Sequence, residues 1–289
     1  MSRLLLDVVP GLADRESVVE ALSREVAFEQ WFHKGGALPR LCAEQGEMQE
    51  RCRPIYRHPI DSVDEPGALP TFTPTVARIK ANIEEVLKPC RFNHCLIQLY
   101  RSGSDSISEH ADKSLDIAQD SVIVNYSVGA TRTLILRKKN EGGGEQELAG
   151  RGGEEREDTR RFALPHNSIF VLSLEMNRGY THQIKTDKRA PRDKALDEMG
   201  VRISLTFRSI ATFFNLQHKI LFGQGAPRRV EEEAADETVE SRRLLQAFRD
   251  ENKTSKTWQE LYGGGFSLVS MAAVKSGYQT DSVSEDPLL

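Results

Sequence analysis

Late in the chain the seven residues Arg202-Ile-Ser-Leu-Thr-Phe-Arg208 alternate polar and apolar without a break. Successive side chains on extended backbone point to opposite faces, so this is a strand with Ile203, Leu205 and Phe207 on one side and Arg202, Ser204, Thr206 and Arg208 on the other. One bland reading is a solvated polar face backed by apolar packing. The sharper one turns the arginines inward, where each guanidinium needs an anion, because an unpaired buried charge costs several kcal/mol. A dicarboxylate ligand supplies one carboxylate for each, with bidentate geometry available.

Further strands separated by turns are predicted at 94–100, 121–127, 132–137, 168–174 and 182–184,. Short strands in series without helices between them make a sandwich or jelly roll. Apolar residues at helical spacing predict helices over 14–32, opened by Asp14 as cap, over 75–87, ended by Pro89, and over 241–252,. Six prolines between Pro39 and Pro74 break the intervening stretch into loops and short strands,. The expected organisation is helical support and a substrate lid over 1–92, a β core over 93–214 with a mobile insertion at 138–161, a C-terminal extension over 215–273 and a disordered tail over 274–289.

A candidate metal site sits among the strands. His110-Ala-Asp112 places an imidazole and a carboxylate two residues apart, and His182 follows Asp112 by 70 residues. An isolated His-x-Asp is common and weak. With a second histidine, however, it makes two imidazoles and one carboxylate on one face of an octahedral ion, leaving three positions open for a cosubstrate and dioxygen. Zinc would favour a closed or nearly closed tetrahedron instead. Glu109 and Lys113, which flank the ligands, are expected on a solvated or ion-paired face. His94 is read as a strand residue, His166 as a turn residue, His33, His58 and His218 as loop or surface residues, and Trp31 and Trp258 as core anchors.

Charge weighs against a partner that is mainly phosphate backbone. The net charge is −4, the stretch from His33 to Lys80 holds seven Lys/Arg against six Asp/Glu, and Pro227 to Leu289 holds eight against twelve,. No apolar run approaches the roughly 20 residues of a membrane span, and Met1 to Pro10 lacks a basic lead or a cleavage site,. The expectation is a soluble protein of the cytoplasm or nucleus that does not engage membranes. Cys42, Cys52, Cys90 and Cys95 lack zinc spacing and are read as reduced,.

Taken in order, Pro39-Arg40-Leu41, Cys95 to Tyr100, Arg101 to Asp112, Ser127 to Arg132, Leu164 to Ser168, His182 and Arg202 to Arg208 resemble the AlkB-like branch of the Fe(II)/2-oxoglutarate dioxygenases, over roughly residues 39–214. The resemblance implies a mainly β fold with flanking helices (α+β) around a double-stranded β-helix. It also implies His110, Asp112 and His182 as ligands to Fe(II), Tyr100, Arg202 and Arg208 around the 2-oxoglutarate cosubstrate, and O2 as oxidant. Arg202 would hold the distal carboxylate, and Arg208 would lie near the end chelated by iron. Gln98 and Ser204, also placed at the cosubstrate, stand where nucleic-acid repair members usually carry Asn. His110 to Ile117, Phe222 to Ala226 and Tyr262 to Phe266 resemble a largely fungal subgroup that includes TqaL-type amino-acid oxygenases. That subgroup implies oxidation of a C–H bond in a small molecule, with Arg40, Arg53, Tyr56 and Arg57 in the lid as candidate substrate anchors. The alternative is AlkB-type demethylation of nucleic acid, with Tyr56 or Phe72 stacking an extruded base.

Overall fold

The alternating segment is β12 (Arg202–Arg208), the middle strand of a seven-stranded antiparallel sheet. The order is β1 (Arg3–Leu5), β10 (Ser168–Ser173), β7 (Val122–Gly129), β12, β5 (His94–Tyr100), β3 (Gly36–Gly46) and β2 (Glu29–His33). A smaller antiparallel sheet runs β6 (Ile107–His110), β11 (Tyr180–Ile184), β8 (Arg132–Lys138) and β9 (Thr159–Leu164). A third joins β14 (Ile220–Gly223), β13 (Thr212–Asn215) and β4 (Cys52–Pro54). The structure is a computed structural model describing residues 2–33, 36–59, 67–139, 158–189, 200–227 and 237–269.

Strand periodicity sorts the side chains into two cores. Ile203, Leu205 and Phe207 join Val124, Tyr126, Val128, Cys95, Ile97, Ile169 and Val171 on the outer face of the large sheet. The apolar stripes of α1 (Arg15–Glu25) and α2 (Pro74–Val86) cover that face with Val18, Val19, Leu22, Val76, Ile79 and Ile83,. Asp14 caps α1 by accepting from the Ser17 amide, and Pro74 opens α2, where a missing N–H costs nothing,. Between the two sheets lies a second cluster, in which Tyr100, Ile123, Phe170 and Leu172 meet Leu134, Leu136, Leu164 and Ile184. Two facing antiparallel sheets with helices on one outer side make the expected jelly roll, mainly β with flanking helices. The C-terminal helices α4 (Glu237–Lys253) and α5 (Trp258–Tyr262) form a third cluster with Leu115, Phe266 and Leu268. A six-residue helix, α3 (Leu174–Gly179), links β10 to β11.

Several expectations need correction. The first helix stops at Glu25, and Glu29–His33 is strand β2, because a hairpin with β3 captures those residues. β1, β2 and β3 all belong to the large sheet, so a boundary at residue 92 cuts through it. Lys138 closes β8, Lys139 is buried, and 159–161 belong to β9, so the predicted insertion is shorter at both ends. Residues 140–157 and the tail from 274 lie outside the described residues. The described residues contain no helix long and apolar enough to cross a membrane.

One buried ion pair joins four segments. Arg57 donates to both oxygens of Asp116, at 2.7 Å at the closest, and to the carbonyls of Gly225, Phe266 and Leu268. A Cβ on Gly225 would fall 2.5 Å from both Arg57 Nη2 and Asp116 Oδ1, so this close approach requires glycine,. Breaking a buried pair strands the remaining charge at a cost of about 3–5 kcal/mol. Asp116→Ala is therefore expected to lower the urea-unfolding free energy by about that amount, whereas Lys88→Ala, which removes the exposed Lys88–Glu85 pair, should cost less than about 1 kcal/mol.

Candidate active site

β6 and β11 pair so that His110 and His182 stand opposite one another, with ring centroids 4.3 Å apart. Asp112 follows where the chain leaves β6. Its backbone N–H donates to Asn177 Oδ1 and its carbonyl accepts from Asn177 Nδ2, at 3.0 and 2.8 Å. The Nε2 atoms of His110 and His182 each lie 3.7 Å from Asp112 Oδ1, and all three candidate ligand atoms fall within 4.8 Å of one another. One ion with bonds of roughly 2 Å can touch all three.

Protonation suits the same use. His110 Nδ1 lies 2.8 Å from the Ser108 carbonyl, a contact that holds the proton on Nδ1 and leaves Nε2 as a lone pair. Burial brings the His182 pKa down to about 3, so this imidazole is neutral at physiological pH,. Burial opposes ionisation of Asp112, but Arg208, donating to Asp112 Oδ2 at 2.7 Å, holds the carboxyl well below its usual range.

The inward face of β12 carries the predicted arginines, and both are buried, which excludes a solvated face. They differ in their partners. Arg208 is neutralised by Asp112 and lies under the Tyr56 ring at 4.1 Å, with only Nη1 left without a hydrogen-bond partner. Arg202 donates through Nη2 to Asn125 Oδ1 and Ser127 Oγ, while its buried Nε and Nη1 have no partner. Burial without a counter-charge pulls its pKa down to about 10. Those two orphaned donors on one guanidinium fit a carboxylate in the bidentate mode. Tyr100 and Gln98 stand on the wall of the central cavity, whereas Arg202, 5.1 Å from the Tyr100 ring, and Ser204 are both buried on the same strand face and are not among the residues that line it.

That cavity, of about 430 Å³, lies between the sheets and opens beside all three candidate ligands. Of the predicted substrate anchors, Arg40 and Tyr56 line it. Arg57 does not, since Asp116 and three carbonyls engage it, and Arg53 is turned to Glu44 and the Gly67 carbonyl. Phe72 packs on the helix side of the large sheet, 6.3 Å from Phe207. Trp31, His33 and His58, read as core or surface residues, line the cavity instead. Glu109 pairs with Arg137 as expected, but Lys113 is buried rather than solvated. Asn125, Asn177 and Asn252 were missed, because their partners lie tens to more than a hundred residues away and no local pattern marks them.

A jelly roll that brings two imidazoles and one carboxylate together at one cavity, with an orphaned arginine buried behind the Tyr100 ring of its wall, has the make-up of a non-haem metal oxygenase,. Residues 9–208 match the 2OG-Fe(II) oxygenase superfamily, and the chain belongs to that family. Members use Fe(II), 2-oxoglutarate and O2, and the chain is a non-haem iron, 2-oxoglutarate-dependent dioxygenase of AlkB-like type. It is 28% identical to the DNA oxidative demethylase ALKBH2 of Homo sapiens over 220 residues, 70% of this chain and 71% of that protein. To the alpha-ketoglutarate-dependent dioxygenase alkB homolog 3 of Bos taurus it is 27% identical over 213 residues, 70% and 64% of the two. The solved structure of OsALKBH1 is 17% identical, with a TM-score of 0.45 over 72% of this chain and 97% of that one.

Arg202→Met keeps the bulk and removes both orphaned donors. With hydrogen bonds to charged groups worth roughly 1.5–3 kcal/mol, the variant is expected to bind 2-oxoglutarate roughly 10- to 100-fold more weakly by calorimetric titration.

Proposed function

We propose that His110, Asp112 and His182 hold the iron, that Arg202 with Tyr100 and Gln98 receives the distal carboxylate of 2-oxoglutarate, and that the enzyme oxidises a C–H bond of a small carboxylate-bearing molecule, an amino acid in the simplest case. Arg208 keeps Asp112 ionised, and its Nη1, without a partner in the protein, would be available to the cosubstrate. When bound, the iron and keto acid supply oxidising power from dioxygen, with succinate and carbon dioxide as by-products; the protein supplies orientation and a dry enclosure.

Arg40 is the observation that carries the substrate class. It lines the cavity, is buried, and donates through Nη1 to the Ser106 carbonyl at 3.1 Å, while its buried Nε has no partner and no carboxylate stands within ion-pair distance among the described residues. A buried guanidinium in that state calls for an anionic group on the ligand. Lys113 and Arg208, the other two Lys/Arg lining the cavity, are both buried and engaged within the protein. No exposed cation among the described lining residues stands ready to neutralise a phosphate backbone. A volume of about 430 Å³ suits a cosubstrate plus one small molecule. Resemblance to the amino-acid oxygenase subgroup supports the same class.

A second reading, oxidative demethylation of alkylated nucleic acid, is favoured by the relatives and by the shelf of Trp31, His58 and Tyr56, whose successive ring centroids are 6.0 and 4.9 Å apart,. The two are separated by succinate release from the iron-loaded enzyme offered free amino acids in one series and methylated oligonucleotides in another. Stimulation by an amino acid is expected; stimulation by oligonucleotides alone sinks the first reading. Arg40→Leu should raise KM for the acid substrate by roughly 10- to 100-fold, the loss of one charge-assisted contact. Asp112→Ala should abolish iron uptake, measured by equilibrium dialysis.

A further inference from the structure

The family match ends at residue 208, yet the segment that carries two of the proposed ligands is held by residues that lie beyond the matched region. Asn252, near the end of α4, accepts through a single Oδ1 from the Ala111 amide at 2.9 Å and from Lys113 Nζ at 2.6 Å. The Ala111 amide belongs to the peptide that leaves His110 toward Asp112. Lys113 Nζ spends its other two donors on the carbonyls of Ala111 and Phe248, at 3.0 and 3.1 Å, so its three donors are matched by three acceptors. Next along α4, Glu251 accepts from the Ser114 amide and hydroxyl, and is itself held by Tyr262 Oη. Trp258 Nε1 donates to the carbonyls of Ser114 and Leu115.

Asn252 Oδ1 and Lys113 Nζ are engaged by these bonds within the protein. The Asn252 amide bonds the peptide between two proposed ligands, while Asn177 bonds the Asp112 backbone. Both donors require an oxygen at the same point, so the carboxamide has one usable orientation. Outer contacts of this kind set the aim of ligand side chains and are worth roughly 10- to 100-fold in metal affinity.

We propose that Asn252 is a positioning residue for the metal centre, and that helix α4 is a working part of this enzyme's iron site, added outside the region matching the family. The inference rests on the ligand assignment above, and its test reads metal uptake rather than turnover.

The full-length protein, stripped of metal, is titrated with Co(II) alone, following its visible absorption and the binding constant, and the thermal midpoint of each apoprotein is recorded. Asn252→Ala is expected to bind Co(II) roughly 10- to 100-fold more weakly, with an altered spectrum, while Asn252→Asp, which keeps an acceptor for both donors, restores most of the affinity. Arg243→Ala loosens α4 away from the site by removing the bond to the Gly265 carbonyl and the contact with the Phe266 ring; it should lower the midpoint without changing Co(II) affinity. Wild-type affinity in Asn252→Ala overturns the proposal, as does an Asn252→Asp variant no better than Asn252→Ala, or an Arg243→Ala variant that loses affinity equally. If Asn252→Ala does not fold, Asn252→Gln, which displaces the amide by one methylene, is read the same way: weakened uptake supports the proposal and unchanged uptake overturns it. A wild-type chain that takes up no Co(II) overturns the ligand assignment and this inference with it.

Discussion

Asp112 and Arg208 form the interaction on which the rest of the site depends. Two charges taken out of water cost several kcal/mol each, and mutual attraction repays this only when the remaining valences are satisfied. Arg208 donates to Asp112 Oδ2 and has the Tyr56 ring across its face, while Asp112 Oδ1 stays turned toward the two imidazoles, 3.7 Å from each Nε2. The pair ties the central strand of the large sheet to the corner where β6 and β11 meet. Because Arg202 lies six residues earlier on the same strand face, one rigid element sets the separation between the triad and the orphaned guanidinium. Any movement of β12 would shift Arg202 and Arg208 together.

The parts of this arrangement visible in the sequence are those with a local period. β5 and β12 are legible because alternation on a strand buried on both faces still separates two kinds of side chain, apolar toward the helices and polar toward the cavity,. β3 was obscured by Pro39, which reads as a breaker. In the structure Pro39 falls where the β2–β3 register shifts, a bulge in which a missing N–H does no harm, and Gln30 Nε2 bonds the neighbouring Leu38 carbonyl,. Phe28, Trp31 and Phe32 are spaced loosely enough to continue a helix, and only the hairpin partner decides otherwise.

Contacts between distant segments left no trace at all. Lys113 looks like an ordinary flanking charge until α4 arrives from about 140 residues downstream with the acceptors that let it be buried. Arg57 looks like a substrate anchor until Asp116 and three carbonyls engage it. In both cases the partner was not readable, because the fold, rather than the spacing, supplies it.

The double hydrogen bond between Asn177 and the Asp112 peptide has a consequence for which ion this protein accepts. Those two bonds fix the backbone of the loop but leave the donor set of the candidate ligands to set the order of affinity. Two imidazoles and a carboxylate then rank divalent ions by the intrinsic order that places manganese and iron below cobalt, nickel and copper. Selection for iron must come from what the surroundings offer at loading, and a tighter-binding ion that enters first would leave an intact but inert protein.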